Sequence, residues 1–197
     1  MWLRAGFAWG ALVLTGWANA PIGITRELAA ERAAALSNIR YKLSFTMRLQ
    51  PNAHTVPGTE ELRFNLSKDG DLLLDFRGES ARALVINGQP APVVAEKGHI
   101  LLPAAALHRG ENVLSLRFDT PVGTAGQPIT RYEDKEDGSV YFYTLFVPMD
   151  ASAAFPCFDQ PDLKAKCTLD IARVSNDIVI ANARQKSEGQ MGPFATD

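Results

Sequence analysis

Three histidines, two cysteines and 22 acidic residues are the groups with which this 197-residue chain could build a reaction. His54, His99 and His108 are too far apart to share one helix face, and no H-E-x-x-H run joins two of them to a glutamate. A zinc-bound water with its general base therefore finds no ligand set in this sequence. All three histidines are expected to be solvent-exposed, in turns or at strand starts. No G-x-S-x-G elbow and no glycine-rich phosphate loop occurs. The densest charged run, "RYEDKEDGSVY" from Arg131, reads as a solvated hairpin tip around Asp137-Gly138 rather than a cation site. Asp150 and Asp159 each precede a short Ala- or Leu-containing stretch, so each is expected to cap one helical turn. Cys157 falls in a turn and Cys167 opens a strand, so two buried thiols are expected rather than a disulfide.

The stretch that stands apart is "FPCFDQPDLKAKCTLDI", Phe155 to Ile171. Pro156 and Pro161 fix φ twice and remove two backbone donors, which makes a rigid turn. Such a turn between strands serves as the corner of a sandwich or as the rim of a binding site.

The elements around it follow from periodicity. "TRELAAERAAALSN" reads as a helix of three to four turns, with Thr25 as cap and a modest stripe of Leu28, Ala35 and Leu36. Ile39, Tyr41, Leu43, Phe45, Met47 and Leu49 then alternate with polar residues as a half-buried strand. Leu62, Phe64 and Leu66 repeat the pattern, as do Leu114, Leu116 and Phe118. Asp69-Gly70, Asn87-Gly88 and Lys97-Gly98 mark turns beside "DLLLDF", between "ALVI" and "APVV", and before "HILLP". The apolar run "SVYFYTLFV" reads as a central strand covered on both faces, and "CTLDIARV" and "DIVIANA" as the last two strands. Short strands with Gly turns between them imply an all-β antiparallel sandwich. The ending "GQMGPFATD" comes soon after a strand and implies a C-terminal truncation.

Residues 1–20 carry Arg4 as their only charge, an apolar run from Ala5 to Trp17 and small residues at the end. That is the layout of a signal peptide, with cleavage after Ala18 or Ala20, so the chain is expected to be exported to a periplasm or secreted. The balance of 20 basic against 22 acidic residues argues against nucleic acid, and against a membrane once the signal is removed.

"YTLFVPMDASAAFPCFDQPDLKAKCTLDI" resembles the N-terminal domain of zinc aminopeptidases of the aminopeptidase N family. Those proteins carry a D-A-R-x-x-F-P-C-x-D-E-P turn followed by a K-A-x-F strand. The matching residues are Asp150-Ala151, Phe155-Pro156-Cys157-Phe158-Asp159, Pro161 and Lys164-Ala165. The resemblance spans Ser37 to about Ala183. With the leader read over 1–20 and the helical lead-in over 21–38, it implies a saddle-like β-sandwich over 39–197. It further implies a thermolysin-like catalytic domain of the same parent chain as partner, with peptide substrate at the border between the two. In the family that second domain holds the H-E-x-x-H-x(18)-E zinc ligands and the G-x-M-E-N motif, and both are absent from this sequence. No cofactor, metal ligand or catalytic residue is therefore expected in this chain, and zinc is implied only for the parent.

The resemblance also places Phe146, Val147, Pro148 and Met149 at the rim of the substrate cavity. Family members commonly carry Gln or Glu at the position of Val147, where it helps hold the substrate's α-amino group. Valine accepts no hydrogen bond. Ser152 and Gln160 stand where the family has Arg and Glu. The chain is thus expected to be inactive alone and to shape the cavity entrance of an exported metallo-aminopeptidase. The other reading is a free-standing secreted sandwich that binds protein or glycan.

Overall fold

The computed structural model describes residues 21–47, 53–172, 177–185 and 191–195. Residues 1–20, read above as a signal peptide, and positions 48–49 of the first predicted strand lie outside them.

Helix α1, Arg26–Ala35, starts where Thr25 Oγ1 accepts a hydrogen bond from Leu28 N at 3.2 Å. It ends without a connecting loop, because Leu36 already opens strand β1, Leu36–Thr46. Asn38 adopts a left-handed φ of 52° inside β1, and the ladder to the next strand slips there between Ser37 and Arg40. Past this bulge Ile39, Tyr41 and Leu43 point inward, as the alternation requires.

The strands that follow are β2 (Thr55–Leu66), β3 (Leu72–Asp75), β4 (Ser80–Ile86), β5 (Gln89–Pro90), β6 (Ala95–Glu96), β7 (His99–Leu102) and β8 (Gly110–Pro121). Then come β9 (Ile129–Glu133), β10 (Val140–Thr144), the single-turn helix α2 (Ala151–Ala154), β11 (Ala165–Ala172), β12 (Arg184–Gln185) and β13 (Met191–Ala195). The large sheet has the order β12-β13-β11-β1-β2-β8-β4-β5, the small one β3-β7-β6, and β9 with β10 forms a separate ribbon. Among the strand pairs named here, pairing is antiparallel except that β11 lies parallel to β1, from Ile39↔Ala165 to Thr46↔Ala172. Asn87 (φ 50°) and Gly88 (φ 80°) form the tight hairpin turn between β4 and β5 that the Asn-Gly pair predicts.

The inner rows of β1, β2, β8 and β4 share one core with Leu72, Leu74, Ile100 and Leu102 of the small sheet and with Cys157 and Phe158 of the proline turn. The fold is therefore the expected all-β, sandwich-like domain preceded by one short helix. Gly58 is required by a close approach: a Cβ there would lie 2.3 Å from the Phe118 ring.

Two predicted strands come out differently. The run "SVYFYTLFV" is not a central strand. Only Val140–Thr144 is extended in a ladder, it pairs with β9 alone among the described residues, and every one of its residues is exposed or half-exposed. A long apolar run looks the same in sequence whether both faces are covered by this chain or await a partner. Residues 177–183 of "DIVIANA" form no strand, and Ile178 and Ile180 are 88% and 91% exposed.

The core also contains a charged cluster. Arg32, one helical turn before Ala35, reaches across to Asp75 at the end of β3 with two bonds, Nη1 to Oδ2 at 2.8 Å and Nη2 to Oδ1 at 2.6 Å. His99 Nδ1 lies 2.7 Å from Asp75 Oδ1, and its Nε2 lies 3.2 Å from the carbonyl of Gly23. All three side chains are buried. His99 thus departs from the expected exposed site, while His54 and His108 conform to it. The reason is pairing: a buried imidazole is tolerated where both ring nitrogens have partners. Burial acts to raise the Asp75 pKa, but bonds from His99 and Arg32 outweigh it and hold the carboxyl below the usual range.

Replacing Asp75 by Asn strands the Arg32 charge in the core and is expected to cost about 3–5 kcal/mol of unfolding free energy, measurable by urea denaturation at pH 7. A depressed carboxyl contributes fully above its unfolded value of about 3.9, and the contribution is lost as pH falls below that. The wild-type stability curve should therefore drop more steeply below about pH 4 than that of Asp75→Asn. Parallel curves would contradict the ion-pair assignment.

Candidate functional site

Asp75 also holds the proline turn. Its backbone N–H donates to Cys157 O and its carbonyl accepts from Cys157 N, both at 2.9 Å. Its Oδ2 accepts a further bond from Asp159 N at 2.9 Å. Phe158, between these two anchors, donates its N–H to the buried Tyr41 hydroxyl at 3.0 Å. The Phe158 ring packs edge-on against Phe64 and lies 5.5 Å from the Arg32 guanidinium. Gln160 Nε2 donates to Ala29 O on α1 at 3.1 Å and to Asp162 Oδ1 at 2.9 Å. The turn is thus fixed at four consecutive residues.

Upstream of the turn, α2 is capped from behind. Asp159 Oδ2 accepts from Ser152 N at 2.9 Å, so Asp159 caps the helix that precedes it rather than a stretch of its own. Asp150 makes no side-chain capping bond; its Oδ1 accepts from Arg77 Nη2 at 2.7 Å. Both capping expectations are corrected by one fact, that the chain doubles back and brings residue 159 to the start of α2. Arg77 adds bonds from Nη2 to Met149 O at 2.6 Å and from Nε to Ser152 Oγ at 3.0 Å. Its own N–H donates to Ser152 O at 2.7 Å.

The four predicted rim residues do not behave alike. Phe146 turns inward, half-buried, with its ring 6.0 Å from that of Phe155. Val147, 75% exposed, Pro148 and Met149 face outward on the segment that Arg77 clasps. Met149 also borders a cleft of about 750 Å³ between the arm at Ile22–Ile24, the β6–β7 hairpin and the β3–α2 junction. Asp75, Arg77, His99 and Asp159 reach that cleft, but the Asp75 carboxylate already accepts four hydrogen bonds and both His99 nitrogens are engaged.

Reactive chemistry is correspondingly muted. Cys157 and Cys167 are free thiols, the first buried and the second half-buried. Burial, then the charge of Asp159, pushes the Cys157 thiol well above its ordinary value. Burial pushes Cys167 up to about 11. Neither is a poised nucleophile, since the thiolate is the reactive form. Among the described residues no group of three or more His, Cys, Asp or Glu side chains is arranged to hold a metal ion. The hairpin tip at Glu133–Ser139 closes on itself, with Asp134 and Asp137 accepting from the backbone of Glu136 and Ser139.

The groups that sequence reasoning missed are Arg32, Tyr41, Asp75 and Arg77, which hold the turn and rim in place. Tyr41 was legible as an inward residue of β1 and Arg32 falls on the one buried helix face, three residues before Ala35, but neither position discloses its distant partner.

Comparison with known proteins places this geometry. The family model for the peptidase M1 N-terminal domain matches residues 37–193. Aminopeptidase N from Streptomyces lividans is 28% identical over 163 residues, covering 81% of this chain and 19% of that protein. Aminopeptidase M1-D from Oryza sativa subsp. japonica is 32% identical over 142 residues, covering 68% and 16%. The chain therefore spans less than a fifth of the length of these two relatives. Among solved structures, yeast LTA4 hydrolase superposes with a TM-score of 0.68 at 18% identity, covering 82% of this chain and 27% of that one. The M1 zinc metallopeptidase from Deinococcus radiodurans gives 0.60 at 20% identity, covering 82% and 38%. The family expected from the proline turn is the one found: this chain belongs to the M1 peptidases, as their N-terminal domain.

Proposed function

We propose that this chain is the non-catalytic N-terminal domain of an exported zinc aminopeptidase. In this reading it packs against a catalytic domain of the same parent and frames the entrance to the substrate cavity. One observation carries it. From Val140 through Tyr141, Tyr143, Leu145 and Val147 to Met149, an exposed apolar tract runs along β10 straight into the rim, with Tyr132 beside it on β9. A tract of that length, running from β10 into the segment that follows it, marks a surface built to be covered. Export rests on the apolar leader within residues 1–20.

Zinc does not fit these residues. The sequence has no H-E-x-x-H, and Asp75, Asp159 and His99, which reach the cleft, are committed to structural bonds. Any zinc of the parent would be held by another of its segments. This chain's part is positional: Arg77 and Asp159 hold α2 and the rim, and Val147 presents an apolar surface where the resemblance would place an amine acceptor. The parent would then anchor a substrate ammonium from its other groups, because a desolvated ammonium needs oxygen partners.

The 197-residue chain alone is expected to bind no stoichiometric zinc and to hydrolyse no amino-acid arylamide. Co-expressed with the remainder of its parent as a separate chain, it should co-purify, and Tyr141→Asp with Leu145→Asp should abolish that association while leaving the fold intact. Zinc and arylamidase activity in the isolated chain would overturn the assignment. So would association indifferent to both substitutions.

The rim gives a second expectation. Arg77→Ala removes three side-chain bonds to residues 149–152, and the half-exposed Arg77–Asp150 pair itself contributes little. The loss should be about 1–3 kcal/mol, with faster limited proteolysis between Leu145 and Ala153. Unchanged cleavage kinetics would show that the clasp does not hold the rim.

A further inference from the structure

Strand β2 presents an inward row of Val56, Gly58, Glu60, Leu62, Phe64 and Leu66. Five of these are what a core row demands, and the third is a carboxyl. Glu60 is 3% exposed, and neither carboxyl oxygen has a hydrogen-bond partner. Its register partners are Leu43 on β1 and Leu116 on β8, both buried apolar residues.

The titratable groups that face it are Tyr41 from β1, Cys157 from the proline turn and Cys167 from β11. Each is neutral in its acid form and negative when ionised, so none supplies a compensating charge. Lys42 on β1 and Arg117 on β8 lie on the opposite, exposed face of the sheet. Arg32 is committed to Asp75 through both of its terminal nitrogens. An ionised carboxylate here would be a buried charge without partner, which proteins avoid by keeping the proton.

We propose that Glu60 is a proton-dependent joint in the core: the sheet closes on a neutral carboxylic acid, and the fold loosens as the solution turns alkaline. Burial is the cause that holds this acid well above its ordinary value. In the unfolded chain the same group ionises near about pH 4.3. Folding therefore takes up one proton at every pH between that value and the folded-state ionisation. For a raised acid the stabilisation is whole below the unfolded value and is lost as pH rises toward the folded one. Through that window the unfolding equilibrium constant rises about tenfold per pH unit on this account. The loosening falls at the floor of the rim, because Tyr41 and Cys157, which surround Glu60, are the residues that tie the proline turn to β1 and β3.

Equilibrium unfolding of the full chain between pH 5 and 8 tests it, comparing wild type with Glu60→Gln and Glu60→Met. Gln and Met carry no ionisable proton, so the pH-dependent part of the difference isolates Glu60. Both variants should gain on the wild type by about tenfold in folding equilibrium per pH unit, with the gain smallest at pH 5. A wild-type-to-variant difference that is constant across this range would overturn the proposal. Failure of both variants to fold would also count against it, since a neutral group at position 60 is what it requires.

Discussion

One buried carboxylate organises this domain. Asp75 collects the Arg32 guanidinium from α1, the His99 imidazole from β7 and the Asp159 amide from the proline turn, and its own backbone bridges to Cys157. The helix, the small sheet and the turn are separate in sequence, and this is where they meet. Removing such a charge from water is costly, and only a full set of donors makes it tolerable. With four hydrogen bonds on two oxygens, Asp75 meets that condition and fixes the relative placement of three elements.

The proline turn takes its meaning from that anchor. Pro156 and Pro161 restrict the chain, but a stiff turn still has to be aimed, and it is aimed by Asp75, Tyr41 and Gln160. The turn in its own right then positions α2 through Asp159, and Arg77 extends the grip to Met149. The polar groups near the cleft are spent on architecture, and the thiols are pushed away from reactivity by burial. What remains free is the outward surface, an apolar ribbon that leads into an apolar rim. It is on this profile that the proposed role of a scaffold for a neighbouring centre rests.

Where the signal was local, the sequence was readable. The alternation from Ile39 located β1, Thr25 located the start of α1, and Asn87-Gly88 located a hairpin. The turn motif alone was enough to reach the family. What could not be read depended on distant partners. Arg32 in an alanine-rich helix looks like a solvated charge until a carboxylate 43 residues away is known to face it. His99 looks like a turn residue until Asp75 and Gly23 are placed on either side of it. Asp159 took the capping role expected of Asp150, which pairs with Arg77 instead, because the chain folds back on itself between them. The parallel pairing of β11 with β1 bridges more than a hundred residues and leaves no mark in either strand. The exposed β10 was misread for a related reason, since apolar runs do not declare who covers them.

The central claim is that the turn and the core form one cooperative unit through Asp75, and native-state hydrogen exchange tests it most directly. The amides of Cys157, Phe158 and Asp159 should exchange only through the same global opening as the β2–β8 ladder, with the same dependence on urea. Exchange of those three amides through a cheaper local opening that is insensitive to urea would contradict the account.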